Sequence, residues 1–221
     1  MDTGPTHAKC LVVFMPGRGD ADADFDKEKF VSLVRARDLS VDMVAANATI
    51  GYYANGIVSD RVEQDVVAPL DPAKYEKVWM IGISMGGVGT LMYSYEHPTR
   101  LKGVLLMAPF LGDDDVANDV KAAGGLDKWT APAPATLTED NYQRQVWGYL
   151  QRTVGKKEPG PDVYLAYGNK DNRVGHNAAI LAASMPADRL FTTDGGHDWG
   201  PWRNLLDQFL DRSSLASDCK R

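Results

Sequence analysis

Short apolar runs alternate with longer stretches whose apolar positions recur every three or four residues, and this rhythm persists through most of the chain. Cys10–Met15 is an apolar run stopped by Pro16-Gly17-Arg18-Gly19, which predicts a buried strand ending in a turn. Residues 25–37 place Phe30, Leu33 and Val34 at helical spacing. Further strands are predicted at 41–46, 78–83, 104–108, 163–167 and 190–193. Helices are predicted between them at 62–68, from the turn at Ser84 to Glu96, and at 178–185, with a last one at 205–210. Ser59-Asp60 is expected to cap the helix at 62–68. Strands alternating with helices imply an α/β fold, with a parallel sheet covered on both faces.

Residues 112–161 break the rhythm. They hold three consecutive aspartates, a Pro/Ala stretch at 131–135 and one strong helical pattern. Thr136 and Glu139 have capping-box spacing, and Tyr142, Val146, Tyr149, Leu150 and Thr153 then share a face. Such an insertion reads either as a lid over a site or as a surface helix that completes the domain.

Composition narrows the class. A length of 221 residues suits one α/β domain, 1–221. The formal net charge is −6 and no Lys/Arg-rich run occurs, so a nucleic-acid role has little support. No apolar run approaches the roughly 18 residues of a membrane span. Residues 1–9 lack the pattern of a secretory signal, so a cytoplasmic protein is expected. The two cysteines make neither a metal-binding spacing nor a disulfide framework; Cys10 is expected as a buried thiol and Cys219 in a polar tail, without a bridge.

The chemistry concentrates at Gly82-Ile83-Ser84-Met85-Gly86. A G-x-S-x-G between a strand and a helix forms a sharp turn that lifts the serine hydroxyl clear of the sheet, and the following helix points its N-terminal N–H groups at developing negative charge. No phosphate-loop or dinucleotide glycine pattern competes with this reading. A serine hydroxyl needs a base, and the base needs an orienting group. Of four histidines, His7 lies in the leading tail, His97 ends a helix and His176 reads as a surface residue. His197 follows the last strand, in the kind of loop where open α/β sheets place their sites. Three carboxylates could orient it: Asp171, after the strand at 163–167, with Asp194 second and Asp198 less suited because it adjoins the histidine. Asp171 gives the chain order Ser, Asp, His. Oxyanion donors are expected from the backbone N–H of Met85 and of Arg18, with Gly17 in reserve.

Together these residues resemble the α/β-hydrolase family, in particular its small esterase and lysophospholipase-like members. The resemblance runs from Cys10 to Leu210 on the loop 16–20, the elbow 82–87, and the segments 101–109, 168–174 and 195–199. It implies a mostly parallel sheet of about six strands between helical layers, with a helical insertion after the strand ending near Pro109. It also implies a Ser84–Asp171–His197 triad, oxyanion positions at Arg18 and Met85, and no metal or organic cofactor. Pro16-Gly17 stands where many members have His-Gly, and the residues after Pro109 match no named cap.

The expected reaction is hydrolysis of a small-molecule ester through an acyl-enzyme. Trp199, Trp147 and Tyr149 are candidates for the substrate pocket, with burial in the core as the competing explanation. A thioester, lactone or amide could replace the ester with the same residues. A hydrolase-fold protein that binds a small ligand without turnover is the alternative of a different class.

Overall fold

The computed structural model describes residues 1–3, 8–70, 74–154 and 158–221; His7 lies outside them. Six strands form one sheet: β1 Cys10–Met15, β2 Val41–Ala45, β3 Lys77–Ile83, β4 Gly103–Met107, β5 Asp162–Gly168 and β6 Leu190–Thr193. Their order is β2-β1-β3-β4-β5-β6, and every neighbouring pair is parallel. The predicted strands therefore all form, and the fold class expected from the sequence is the one observed.

Side chains of each strand alternate between two cores. Leu11, Val13, Met80, Leu106 and Leu165 pack on one face, beneath helices α4 Val58–Val62, α5 Met85–Glu96, α6 Asp114–Ala122 and α7 Tyr142–Val154. Val12, Phe14, Trp79, Ile81 and Leu105 pack on the other, beneath α2 Phe30–Arg35 and α9 Trp199–Arg212. Both faces are dry, which is why the strands read as continuous apolar runs rather than as alternating patterns.

The chain reverses its direction of travel across the sheet between β1 and β3. From β1 it goes outward to β2 and returns to place β3 on the other side. Met15 and Gly82 are register partners, so the loops leaving β1 and β3 emerge side by side. Open α/β sheets bind ligands at such a switch point, outside the carboxyl ends of the strands.

Several local expectations change. The helix expected at 25–37 is two, α1 Asp24–Lys27 and α2, broken at Lys29, whose φ is 69°. The helix expected at 62–68 begins earlier, at Val58, and continues as a π-helical turn at Glu63–Val67, so Ser59-Asp60 lies inside it rather than capping it. Helix α3 Ile50–Ala54, helix α6 within the insertion and the closing helix Ser214–Asp218 were not legible. The Thr136–Glu139 capping box does not form; Asn141 instead accepts from the Thr138 N–H and donates to the Thr136 carbonyl. Helix α7 is built into the core, with Trp147 fully buried and its indole N–H donated to the Leu111 carbonyl.

The largest correction concerns the cysteines. Cys10 is buried as expected, but as half of a disulfide with Cys219, 209 residues away in sequence. The chain's tail returns to β1: Ser40 N–H donates to the Cys219 carbonyl, and Leu39 bridges Lys220. The polarity of residues 211–221 hid this docking from a reading based on hydrophobic pattern.

Candidate functional site

Ser84 stands between β3 and α5 with φ 51° and ψ −114°, a conformation that non-glycine residues rarely adopt. It is held there by three hydrogen bonds: its N–H donates to the Met107 carbonyl, and its own carbonyl accepts from the N–H groups of Gly87 and Phe110. Strain of this kind persists only where its surroundings over-determine it. The flanking glycines are required by close approach. A Cβ on Gly82 would lie 2.2 Å from the Gly86 carbonyl oxygen, and one on Gly86 would lie 2.2 Å from that of Met15.

Two other loops converge on the hydroxyl. His197, after β6, brings Nε2 to 3.0 Å from Ser84 Oγ. On the far side of the ring, Nδ1 lies 2.7 Å from Asp171 Oδ2. The second oxygen, Oδ1, accepts from the backbone N–H groups of Arg173 and Val174 at 2.9 and 3.1 Å. Burial works to raise the Asp171 carboxyl, but the hydrogen bonds from His197, Arg173 and Val174 overcome it and hold the group below its ordinary value of 3.8. The rival carboxylates are occupied elsewhere. Asp194 is exposed and ion-paired with Lys170, and Asp198 caps α9 by accepting from the Gly200 N–H. Of the other described histidines, His97 packs at a tilt against Tyr93 and His176 meets Asn118.

The loop after β1 presses against the serine: a Cβ on Gly17 would lie 3.5 Å from Ser84 Cβ. One residue there escaped the sequence reading. Asp20 is half-buried, and its carboxylate packs on the β1 loop, where a Cβ on Gly17 would lie 2.6 Å from Oδ2; Trp199, Gly17 and His197 all act to lower its carboxyl. Burial and the neighbouring Asp24 nonetheless raise its carboxyl above 3.8. It joins the β1 loop to the start of α9. The signal available in sequence was only its place in the Pro16–Asp20 loop.

A cavity of about 850 Å³ opens beside Ser84 and is lined by Met85, Val88, Phe110 and residues 137–139 and 142–143, among others. The aromatic residues expected to wall a pocket are not in it. Trp147 and Tyr149 are packed in the core on different sides of α7, and Trp199 packs edge-on against Phe25, Phe30 and Trp202. Among the described residues no group of His, Cys, Asp or Glu could hold a metal ion, and no helix is long and apolar enough to cross a membrane.

A family model for the alpha/beta hydrolase fold matches residues 53–177, more than half of the chain. The chain belongs to the α/β-hydrolase family. Among curated proteins this α/β-hydrolase is 28% identical over 164 residues to an acetyl esterase of Caldicellulosiruptor saccharolyticus; the match covers 66% of the chain and 58% of that relative's length. Solved structures share its fold at low identity. A ferulic acid esterase aligns over 97% of the chain and 86% of its own, at 16% identity and a TM-score of 0.63. The S-formylglutathione hydrolase of Staphylococcus aureus aligns over 95% and 80%, at 13% identity and a TM-score of 0.61. A structure from work on carboxylesterases of Nitrososphaera gargenis aligns over 98% of both chains, at 15% identity and a TM-score of 0.57.

Proposed function

We propose that this α/β-hydrolase cleaves carboxylic esters through an acyl-enzyme on Ser84. The observation that carries the reading is the continuous chain Ser84 Oγ–His197–Asp171, with contacts of 3.0 and 2.7 Å, on a serine held in a strained turn. In this mechanism His197 Nε2 takes the hydroxyl proton as Oγ attacks the carbonyl carbon. Asp171 keeps the proton of the neutral ring on Nδ1 and stabilises the imidazolium, without itself becoming protonated. His197 then delivers the proton to the departing alcohol oxygen, and water repeats the sequence to release the acid.

The oxyanion would be held by the Met85 N–H, at the first position of α5, and by the Arg18 N–H. Gly17 is the weaker candidate because the Asp20 carboxylate crowds it, with Oδ2 2.6 Å from where a Cβ would stand. Arg18 follows it in the same loop beside Ser84. The names of the curated relative and of the solved structures agree with ester chemistry. No observation favours an amide or a lactone over an ester; a thioester fits the same proton path.

The Cys10–Cys219 bridge bears on location. Disulfides persist in oxidising surroundings and are rare where glutathione keeps thiols reduced. It favours an oxidising compartment over the cytoplasm expected from sequence.

The test is Ser84→Ala, which should abolish turnover of p-nitrophenyl butyrate, a loss of up to about 10⁶ in kcat, while the circular dichroism spectrum stays unchanged. A fluorophosphonate probe should label the wild type at Ser84. Undiminished turnover by the alanine variant would refute the assignment, and tight ligand binding with neither turnover nor labelling would mark a binding protein.

A further inference from the structure

The cavity beside Ser84 lies on one side of the reacting hydroxyl only. Its lining includes Ser84, Met85 and Arg18, but none of His197, Asp171, Asp20 or Trp199. This asymmetry decides which half of a substrate it can hold. In the proposed mechanism three groups on the tetrahedral carbon have fixed places. Oγ is on Ser84, the oxyanion faces the Met85 and Arg18 N–H groups, and the leaving oxygen must come within hydrogen-bond reach of His197 Nε2 to be protonated. The remaining substituent, the acyl group, points away from the imidazole.

We infer that the space between α3, α5 and residues 137–143 is an acyl pocket, built for a bulky apolar acyl group such as a medium-chain alkanoyl rather than for acetyl. The inference rests on the serine-ester reading above and adds the substrate class to it. Tyr53, Met85, Val88, Met92, Phe110 and Leu137 supply the apolar wall. The charged side chains that reach the cavity, Arg18 and Glu139, are both exposed, so charge is confined to the rim. A volume of about 850 Å³ falls in the upper part of the roughly 300–1,000 Å³ found for pockets that enclose drug-sized ligands. An acetyl group would leave most of that wall facing water.

The pocket's width has a structural cause. Tyr53 on α3 lays its ring over Gly89 of α5, where a Cβ would come within 2.4 Å of the hydroxyl oxygen. That hydroxyl is buried without a partner, so the ring is placed by packing rather than by a hydrogen bond. The missing side chain at residue 89 lets α3 close against α5 as a side wall.

The experiment compares p-nitrophenyl acetate, butyrate, octanoate and laurate, with octyl acetate as the reverse case in which the chain is on the alcohol. Each methylene that moves from water into the pocket should raise kcat/KM by roughly fourfold until the pocket is full. Octyl acetate should gain no comparable increase. Val88→Trp should lower the octanoate-to-acetate ratio of kcat/KM by tenfold or more. Leu137→Ala, in the partly exposed wall, should shift the preferred chain length and guards against a tryptophan variant that fails to fold. A flat or falling acyl series in an enzyme that hydrolyses acetate and labels at Ser84 overturns the acyl pocket and leaves the serine mechanism standing. A gain with alcohol length instead of acyl length does the same. Absence of turnover with every ester, together with absence of labelling at Ser84, overturns both.

Discussion

Asp171 holds His197 from a buried position, with its carboxylate divided between the imidazole on one oxygen and two backbone N–H groups on the other. The loop after β5 thus fixes the carboxylate independently of the histidine loop, and the ring takes its orientation from a group held at both oxygens. Replacing Asp171 by Asn keeps the shape but offers an amide that can stabilise the wrong tautomer. For a triad this typically costs about 10⁴ in kcat. Asp171→Asn should show a loss of that order on p-nitrophenyl butyrate, and Asp194→Asn should stay near wild type, because Asp194 faces solvent beside Lys170. Equal losses in the two variants would move the orienting role to Asp194.

The same carboxylate makes stability depend on pH. Its folded-state pKa lies below the ordinary 3.8 because hydrogen bonds to the ionised form outweigh its burial. A depressed carboxyl contributes stability that is fully present above the unfolded-state value and lost as pH falls through the folded-state value. Urea denaturation from pH 6 downward should therefore show the wild type more stable than Asp171→Asn near neutrality, with the gap closing below about pH 4. A gap that widens toward acid would mean that the carboxyl is raised in the folded state, not lowered.

Gly86 is a test of the elbow that removes none of the reactive side chains. A methyl there would meet the Met15 carbonyl oxygen at 2.2 Å and that of Pro16 at 2.6 Å, both backbone atoms. The β1 loop and α5 must separate to admit it, shifting the loop that packs against Ser84. Gly86→Ala should lose about 1–3 kcal/mol of stability by urea denaturation. It should also lose about 10²-fold in kcat, the order expected when reacting groups shift by an ångström. Normal activity in this variant would show that the loop is not held as described.

How much of this was written in the sequence follows from how local each feature is. The strands were legible because both sheet faces are covered, so each reads as a run of apolar residues between turn residues. Ser84, Asp171 and His197 were legible because each follows a strand that could be found, and the carboxyl edge of the sheet brings their loops together. Asp20 was not, because Trp199 and His197, which act on its carboxyl, are far away in sequence and nothing near it marks their approach. Trp147 and Tyr149 are pocket candidates by sequence with core burial as the competing explanation, and burial is what the structure shows: α7 is buried all round from Gln145 to Gln151, so both rings pack in the core although they lie on different sides of the helix. Helix α3 was missed because five residues with two tyrosines and a glycine carry no readable period.

Asp20 itself is open to test. Its carboxylate packs against Gly17, and Trp199 and His197 act to lower its pKa, which places it between the β1 loop and the loop that carries His197. Asp20→Ala removes that packing, and Asp20→Asn preserves an oxygen acceptor. Alanine should lower kcat with little change in KM, and asparagine should recover a large part of the loss. Equal effects of the two variants would assign the role to the charge rather than to the shape and polarity of the side chain.

The disulfide makes a separate prediction about stability. It closes a chain segment of 209 residues and pins the tail after α9 to the start of β1, at the edge of the sheet opposite the loops that carry Ser84 and His197. Cross-links stabilise mainly by restricting the unfolded chain, and removing a native one typically costs about 2–5 kcal/mol. The Cys10→Ser/Cys219→Ser double variant should lose stability in that range in urea, and the reduced wild type should match it. kcat and KM at 25 °C should remain those of the oxidised protein, since the site stands at the other end of the strands. A double variant as stable as the wild type would show that the tail is held by its backbone hydrogen bonds and packing alone, leaving the bridge no structural task and removing the argument for an oxidising compartment.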